Sequence, residues 1–317
     1  MARATHFTKG YLCNVEAGRR PVTPAVVLAY ERVLGEDDMQ RRSLITGLAA
    51  SVVAPVAVGE LIGTGFNAAL GQRISVDDWE GRSTALGIDY MTVGAADLQQ
   101  RLARDLVLVQ QHLDSPRMWV VAARLLTTYG KTATNRREAV RWYKVAAQVA
   151  DRSDDTATRV WVRGRAALAL GYEAAELPTA KDLAQQALDI DDRPTLGRLN
   201  ALTALAHIAG VRGDRNGALS TLEQARRVFD RAGSEEQISD FAVPEWRFHT
   251  FASMLLSRLG DPGAVDEQDS ADRTRPTTLP RFATHIEMHR ALMLVRQGDV
   301  DTGRGYARSA LDRLPPD

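Results

Sequence analysis

Cysteine is almost absent from this sequence, since Cys13 is the only one in 317 residues. A single thiol excludes a disulfide framework or a thiolate metal cluster within one chain, and it favours a reducing compartment such as the cytoplasm. An excess of charge of either sign is also lacking, because 40 Lys and Arg residues balance 40 Asp and Glu residues. Net charge therefore gives no overall attraction to nucleic acid or anionic lipid, and any such contact must be local.

Familiar catalytic and cofactor-binding motifs are missing as well. The sequence contains no Walker phosphate loop, no dinucleotide fingerprint and no serine elbow. His285 and His289 share one helix face, but Glu287 does not directly follow the first histidine, as a zinc protease would require. A structural metal and an ordinary helix face remain the alternatives for this pair. We predict no enzymatic activity, no catalytic residue, no metal site and no cofactor.

Two short helices are predicted at the start of the chain. Thr8 is a suitable N-cap, and Gly18 a suitable C-terminal stop, for a helix over residues 9–17. Pro24 at a first helical position and Gly35 after the last apolar residue bound the second helix. Residues 1–35 are therefore predicted to form a small helical unit.

This unit resembles the Cro/C1-type (XRE) helix-turn-helix family of DNA-binding proteins. The residues that carry the resemblance are Thr8, Tyr11, Leu12, Val15, Glu16, Gly18 and Arg19, followed by the Pro24 helix. The likeness implies that residues 9–17 are the recognition helix, whose N-terminal residues face base edges in the major groove. It implies base contacts from Thr8, Lys9, Gly10 and Asn14, and phosphate contacts from Arg19 and Arg20.

The N-terminal part of the family pattern is missing from this partial unit. Two helices precede the recognition helix in the family, whereas residues 1–5 supply only a stub here. Two short helices bury too little surface to stay folded alone. Either the natural chain begins upstream of Met1, or the unit has lost DNA binding and serves for packing. A complete unit is expected to act as a homodimer, because paired recognition helices must match half-sites about one DNA turn apart.

Residues 36–94 form an apolar, glycine-rich region that we assign to a linker. Glu60 is the only charged residue between positions 43 and 72. An uncharged run that follows two arginines imitates an export signal or a membrane span. Its alanine, glycine and serine content and Pro55 favour a buried linker helix instead, and we expect no membrane partner.

From residue 95 onward the sequence indicates helix after helix, with an internal repeat. A small residue is followed seven positions later by alanine five times: Ala139 and Ala146, Ala180 and Ala187, Ala218 and Ala225, Ala264 and Ala271, Gly303 and Ala310. The first members lie 41, 38, 46 and 39 positions apart. Small residues seven apart share one helix face and let neighbouring helices approach closely. The pattern predicts about five to six helical hairpins over residues 95–317.

This repeat resembles the tetratricopeptide family, and the whole chain resembles actinobacterial XRE regulators that carry such repeats. In residues 213–229 and 298–314 a Gly-Asp turn opens the second helix of a hairpin. The units are longer than the family's, and their aromatic consensus is patchy. The copy at Ala264 lies in a polar segment that is expected to be a poor helix. The resemblance implies an all-α fold with a tetratricopeptide-like solenoid.

The concave face of such a solenoid, lined by the first helix of each hairpin, is the predicted ligand site. Its candidate residues are Arg159, Trp161, Arg163, Asn200, His207 and Arg247. Asn200 is a candidate for a second reason. Its amide can donate and accept hydrogen bonds at the same time, which suits binding to a peptide backbone. Peptide-responsive regulators, which this architecture also resembles, use an amide in this way. The alternative for each residue is a solvated face or a satisfied helix contact.

Together these features predict a transcriptional regulator. In this interpretation the repeat domain senses a peptide, a small molecule or a protein and controls the XRE-type DNA-binding unit. The alternative is a repeat-based scaffold that binds proteins or peptides and has lost DNA binding.

Overall fold

The computed structural model describes residues 74–312, which form twelve α-helices and no strand. The prediction of an all-α fold is confirmed for this part of the chain. All twelve helices belong to one compact unit. In chain order they are α1 (Val76–Thr92), α2 (Ala95–Val109), α3 (Pro116–Lys131), α4 (Arg136–Asp151), α5 (Thr156–Tyr172), α6 (Leu177–Ile190), α7 (Leu196–Val211), α8 (Arg215–Ala232), α9 (Glu245–Leu259), α10 (Ala264–Thr274), α11 (Pro280–Arg296) and α12 (Val300–Leu311).

Side-chain caps fix where many of these helices begin. Ser75 accepts a hydrogen bond from the backbone of Asp78, whose carboxylate in turn accepts from the Ser75 backbone, so α1 opens with a capping box. Helix α3 begins at Pro116, as predicted, after the N-cap Ser115. Both predicted Gly-Asp turns are also confirmed, with an aspartate capping α8 and α12 after a glycine in the left-handed region.

Consecutive helices pair into five hairpins from α3 to α12, preceded by α1 and α2. The extensive helix contacts in the described chain join only helices that are adjacent or next but one in sequence. This contact pattern is the one expected of stacked hairpins, each of which packs mainly against its neighbours.

The predicted small-residue pairs lie on the second helix of each hairpin, α4, α6, α8, α10 and α12. Nine of these ten residues are buried, and Ala139 is half-buried. The expectation of a poor helix at Ala264 is wrong, because α10 forms there. Its polar sequence is stabilised by inward contacts, among them a 2.9 Å hydrogen bond from Gln268 to the Ser257 hydroxyl. Packing therefore overrides the weak helix propensity of this segment.

Helix α1 falls inside the predicted linker region, residues 36–94. Its Trp79 and Met91 are nevertheless fully buried in the helical unit. The stacked array therefore extends toward the N-terminus at least as far as α1. No helix between residues 74 and 312 is long and apolar enough to cross a membrane. The apolar run of residues 43–72, in which Glu60 is the single charged residue, lies outside the described residues.

Candidate functional site

The first helices of the hairpins meet on one side, which we call the inner face. Arg258 of α9 donates a 2.9 Å hydrogen bond to the backbone oxygen of Tyr172 at the end of α5. The Tyr172 hydroxyl lies 2.8 Å from Nε2 of His289 on α11. Side chains from helices far apart in sequence are therefore in contact on the inner face.

The segment between α8 and α9, residues 233–244, inserts into the inner face as a closed loop, the 233–244 loop. The Ser234 amide donates to the Val243 oxygen, and the Val243 amide donates to the Ser234 hydroxyl, each over 3.1 Å. Residues 235–237 are exposed, whereas Asp240 is buried. The loop thus has two ends tied together, a solvent-facing side and a buried tip.

Asp240 binds three cationic side chains from three different helices. One carboxylate oxygen lies 2.8 Å from Arg165 of α5 and 2.6 Å from Arg247 of α9, and it also bonds Nζ of Lys131 on α3. All four side chains are buried, with at most 7% exposed. A single carboxylate therefore links helices of the first, second and fourth hairpins.

This cluster contains more positive than negative charge. Burial alone would raise the pKa of Asp240, but Arg165, Lys131 and Arg247 outweigh it and hold that pKa well below its usual range. Burial and Arg165 lower the pKa of Lys131, and Asp240 opposes them only partly. Within the described residues, the second Asp240 oxygen has no hydrogen-bond partner. One carboxylate compensates only part of this buried charge.

Aromatic rings complete the surroundings of the loop tip. The Tyr90 ring centroid lies 3.6 Å from Nζ of Lys131, a cation–π contact. Phe241 packs edge-on against Trp161 with a centroid distance of 5.3 Å, and the Arg124 guanidinium lies 5.8 Å from its ring. The tip of the loop therefore places a carboxylate against three cations and, next to it, an aromatic ring against Trp161 and Arg124.

A second polar group on the inner face is centred on His289. Ser253 donates its hydroxyl proton to the Thr250 oxygen over 3.0 Å, so it accepts from His289 Nδ1 over 2.6 Å. His289 Nε2 is then free to accept from the Tyr172 hydroxyl. Burial, with smaller effects of His285 and Arg258, lowers the pKa of His289 to about 3. The imidazole is therefore a neutral structural group with one defined tautomer.

His207 lies beside this group on α7. Its Nδ1 lies 3.3 Å from an Arg258 guanidinium nitrogen, and its ring packs against Tyr172 with a centroid distance of 5.4 Å. Burial first, then Arg258 and His289, lower the pKa of His207 to about 3. A neutral imidazole is what an adjacent guanidinium donor requires.

The six predicted ligand-face residues fall into three groups. Trp161 and Arg247 contact the 233–244 loop, whereas Arg159 and Arg163 both pair with Asp151, over 3.0 Å and 2.7 Å. Asn200 and His207, seven positions apart on α7, share the inner face. Four of the six are buried and two are half-buried; the buried ones are Arg163, Asn200, His207 and Arg247.

The predicted DNA-contact residues lie outside the described part of the chain; they are Thr8, Lys9, Gly10, Asn14, Arg19 and Arg20. No sequence motif singles out Lys131, Arg165 or Asp240. Lys131 and Arg165 are 109 and 75 positions from Asp240, and each of the three is an ordinary charged residue in its own segment. No spacing rule connects them.

The histidine pair on α11 is divided between two environments. His289 makes the hydrogen bonds described above, while His285 tilts against Phe282 with a centroid distance of 5.4 Å. Between residues 74 and 312 there is no group of three or more metal-ligating side chains. The hydrogen bonds of His289 to Tyr172 and Ser253 are contacts of an ordinary residue on a helix face.

A cavity of about 200 Å³ lies at the turn between α3 and α4. It is lined by Gly130, Lys131, Ala133, Thr134, Asn135, Arg136, Ala139, Tyr143, Ala169, Leu170 and Glu173. Sites for small molecules commonly enclose about 300–1,000 Å³. We therefore assign no ligand to this cavity.

Comparisons with protein-family models, with curated proteins and with solved structures find no match to this chain. The resemblance to XRE and tetratricopeptide proteins therefore depends on sequence patterns alone. It stays a prediction.

Proposed function

We propose that this chain is a transcriptional regulator whose helical array senses a ligand and controls an XRE-type DNA-binding unit in residues 1–35. The ligand is a peptide, a small molecule or a protein. The chain acts by binding rather than by catalysis, as a cytoplasmic homodimer. The sequence likeness supports the DNA-binding half of the proposal, and the inner face supports the sensing half.

The Asn200 amide is the observation that carries the sensing role. Asn200 is 1% exposed, and neither its oxygen nor its nitrogen has a hydrogen-bond partner among the described residues. Leaving a buried polar group unpaired costs about 1–3 kcal/mol. A ligand with a backbone-like donor and acceptor would recover this cost. The amide therefore fits the role of a ligand contact better than that of a structural one.

Ligand binding on the inner face suggests how a signal would be transmitted. The inner face joins side chains of several hairpins, so a ligand that contacts them favours one packing of the array over another. Such a shift needs different ligand affinities for the two packings. The altered array would then change the spacing or exposure of two N-terminal units, which must match DNA half-sites.

Fluorescence-anisotropy binding to promoter DNA at physiological salt tests this proposal. The chain is measured beside a version extended upstream, because two helices precede the recognition helix in the XRE family. In the form that binds, Lys9→Ala and Asn14→Ala are each expected to weaken specific binding by about 1–3 kcal/mol. Lys144→Ala, an exposed lysine on α4, is the matched control. If neither form binds DNA, the scaffold alternative replaces the regulator.

A further inference from the structure

We propose that Lys131, Arg165 and Arg247 form a carboxylate-binding site that the chain's own Asp240 occupies. The 233–244 loop is then an internal competitor for an external peptide segment that presents an acidic residue beside an aromatic one. This inference rests on the proposed sensing role of the array, and it names the ligand class and the means of regulation.

The composition of the site matches a carboxylate. Two guanidinium groups and one ammonium group converge on one carboxylate oxygen at hydrogen-bond distance. Arginine and lysine make their strongest hydrogen bonds to carboxylates and phosphates. In the described chain no second carboxylate pairs with these three cations. The site therefore has positive charge to spare for an incoming acidic ligand.

The neighbouring contacts specify an aromatic residue next to the acid. Phe241 follows Asp240 directly and packs on Trp161, with the Arg124 guanidinium also near its ring. A β-carbon added to Gly87 of α1 would lie 2.9 Å from the Phe241 ring, so the ring fills its space closely. An acidic residue followed by an aromatic one would reproduce both contacts.

The form of the loop allows it to leave the inner face as a unit. Its ends are held together by the two hydrogen bonds between Ser234 and Val243, so withdrawal of the tip does not require α8 or α9 to unwind. At the tip, the Asp240 amide makes one backbone hydrogen bond to another helix, a 2.8 Å bond to the Gly87 oxygen. Arg247 also donates hydrogen bonds to the Ser239 and Ala242 oxygens of the loop, over 2.9 Å and 2.8 Å. An external peptide has to replace these contacts and the Asp240 ion pairs.

A labelled peptide with the sequence of residues 238–243, Ile-Ser-Asp-Phe-Ala-Val, provides the direct test. Its binding is measured by fluorescence anisotropy to the full chain, to the double variant Asp240→Ala/Phe241→Ala, and to Glu235→Gln as a control on the exposed side of the same loop. We expect the double variant to bind at least tenfold more tightly than the wild type and the control. The same peptide with Asn in place of Asp should bind at least tenfold more weakly.

Equal affinity for the Asp and Asn peptides, or no binding to a folded double variant, would overturn the inference. Circular dichroism first shows whether the double variant is folded. If it is not, Phe241→Ala, which keeps Asp240, takes its place with the same two peptides. Hydrogen exchange of the wild type gives an independent reading. Excess Asp peptide should speed exchange in residues 238–243 but not in the middle of α9, and unchanged exchange would contradict displacement.

This test uses no DNA, so its failure can be separated from failure of the proposed function. A chain that binds promoter DNA but not the peptide contradicts the loop inference alone. Peptide binding without DNA binding by either form of the chain supports the carboxylate site and contradicts the regulatory role.

Discussion

Arg165 and Asp240 are 75 positions apart in the chain, yet a guanidinium nitrogen of the first lies 2.8 Å from a carboxylate oxygen of the second. The bond joins the middle of α5 to the tip of the 233–244 loop. Lys131 and Arg247 converge on the same oxygen, so one side chain unites elements from the first, second and fourth hairpins. The inner face is thus held by charge as well as by apolar packing.

Replacing Asp240 by Ala is therefore expected to be strongly destabilising. Removing one partner of a buried ion pair costs about 3–5 kcal/mol, because the remaining charge is left uncompensated. Urea unfolding followed by circular dichroism gives the free energy of unfolding. Glu235→Gln, an exposed acid on the same loop, is the control and should change it by less than about 0.5 kcal/mol. Equal effects of the two substitutions would contradict the described role of Asp240.

The repeat was predictable because it depends on local geometry. Small residues two helical turns apart mark a close helix contact wherever they occur, and a Gly-Asp pair supplies both a left-handed residue and an N-cap. The sequence therefore placed Ala225 in the interior, where the structure has it. It misjudged α10, since a polar helix is stabilised there by partners such as Ser257 that no local pattern reveals.

The Asp240 cluster was not predictable for the opposite reason. Its members come from three helices and a loop, and each is an ordinary charged residue in its own segment. Their meeting depends on how several hairpins stack and on the course of the 233–244 loop. Among the candidates chosen from the sequence, Arg247 and Trp161 do contact that loop, but their partners Asp240 and Phe241 became apparent only in the structure.

Ala225→Leu tests the repeat register on α8. Ala225 is fully buried in the apolar core shared by α7, α8 and α9, so a larger side chain should overpack it. We expect a loss of about 1–3 kcal/mol in the free energy of unfolding. Gln224→Leu introduces the same residue at the exposed neighbouring position and is the matched control. If Ala225→Leu unfolds at the same urea concentration as the control, the close helix contact is disproved.

Asn200→Leu tests whether the buried Asn200 amide is unpaired in the folded protein. Replacing an unpaired buried amide by an apolar group of similar size removes a desolvation cost of about 1–3 kcal/mol, so the variant should be more stable than the wild type. Thr203→Val on the same helix is the control. Its hydroxyl donates a 2.8 Å hydrogen bond to the Leu199 oxygen, so this substitution should bring no gain. A marked loss of stability in Asn200→Leu would show that the amide has a structural partner.

His289→Gln tests the neutral imidazole of the inner face through the pH dependence of stability. The pKa of His289 is lowered to about 3, whereas a histidine in the unfolded chain has a pKa of 6.5. Below pH 6.5 the unfolded state therefore takes up a proton that the folded state does not. The contribution of His289 to stability is complete above that pH and is lost as the pH falls toward 3.

Between pH 7 and pH 5 this single histidine should reduce the free energy of unfolding by about 2 kcal/mol. Gln has no such titration, so His289→Gln should lose about 2 kcal/mol less than the wild type over the same interval, whatever its stability at pH 7. Urea unfolding at the two pH values measures the difference, and carboxylate effects common to both chains cancel. Parallel losses in the two chains would mean that His289 is protonated in the folded protein, which would contradict its role as acceptor for the Tyr172 hydroxyl.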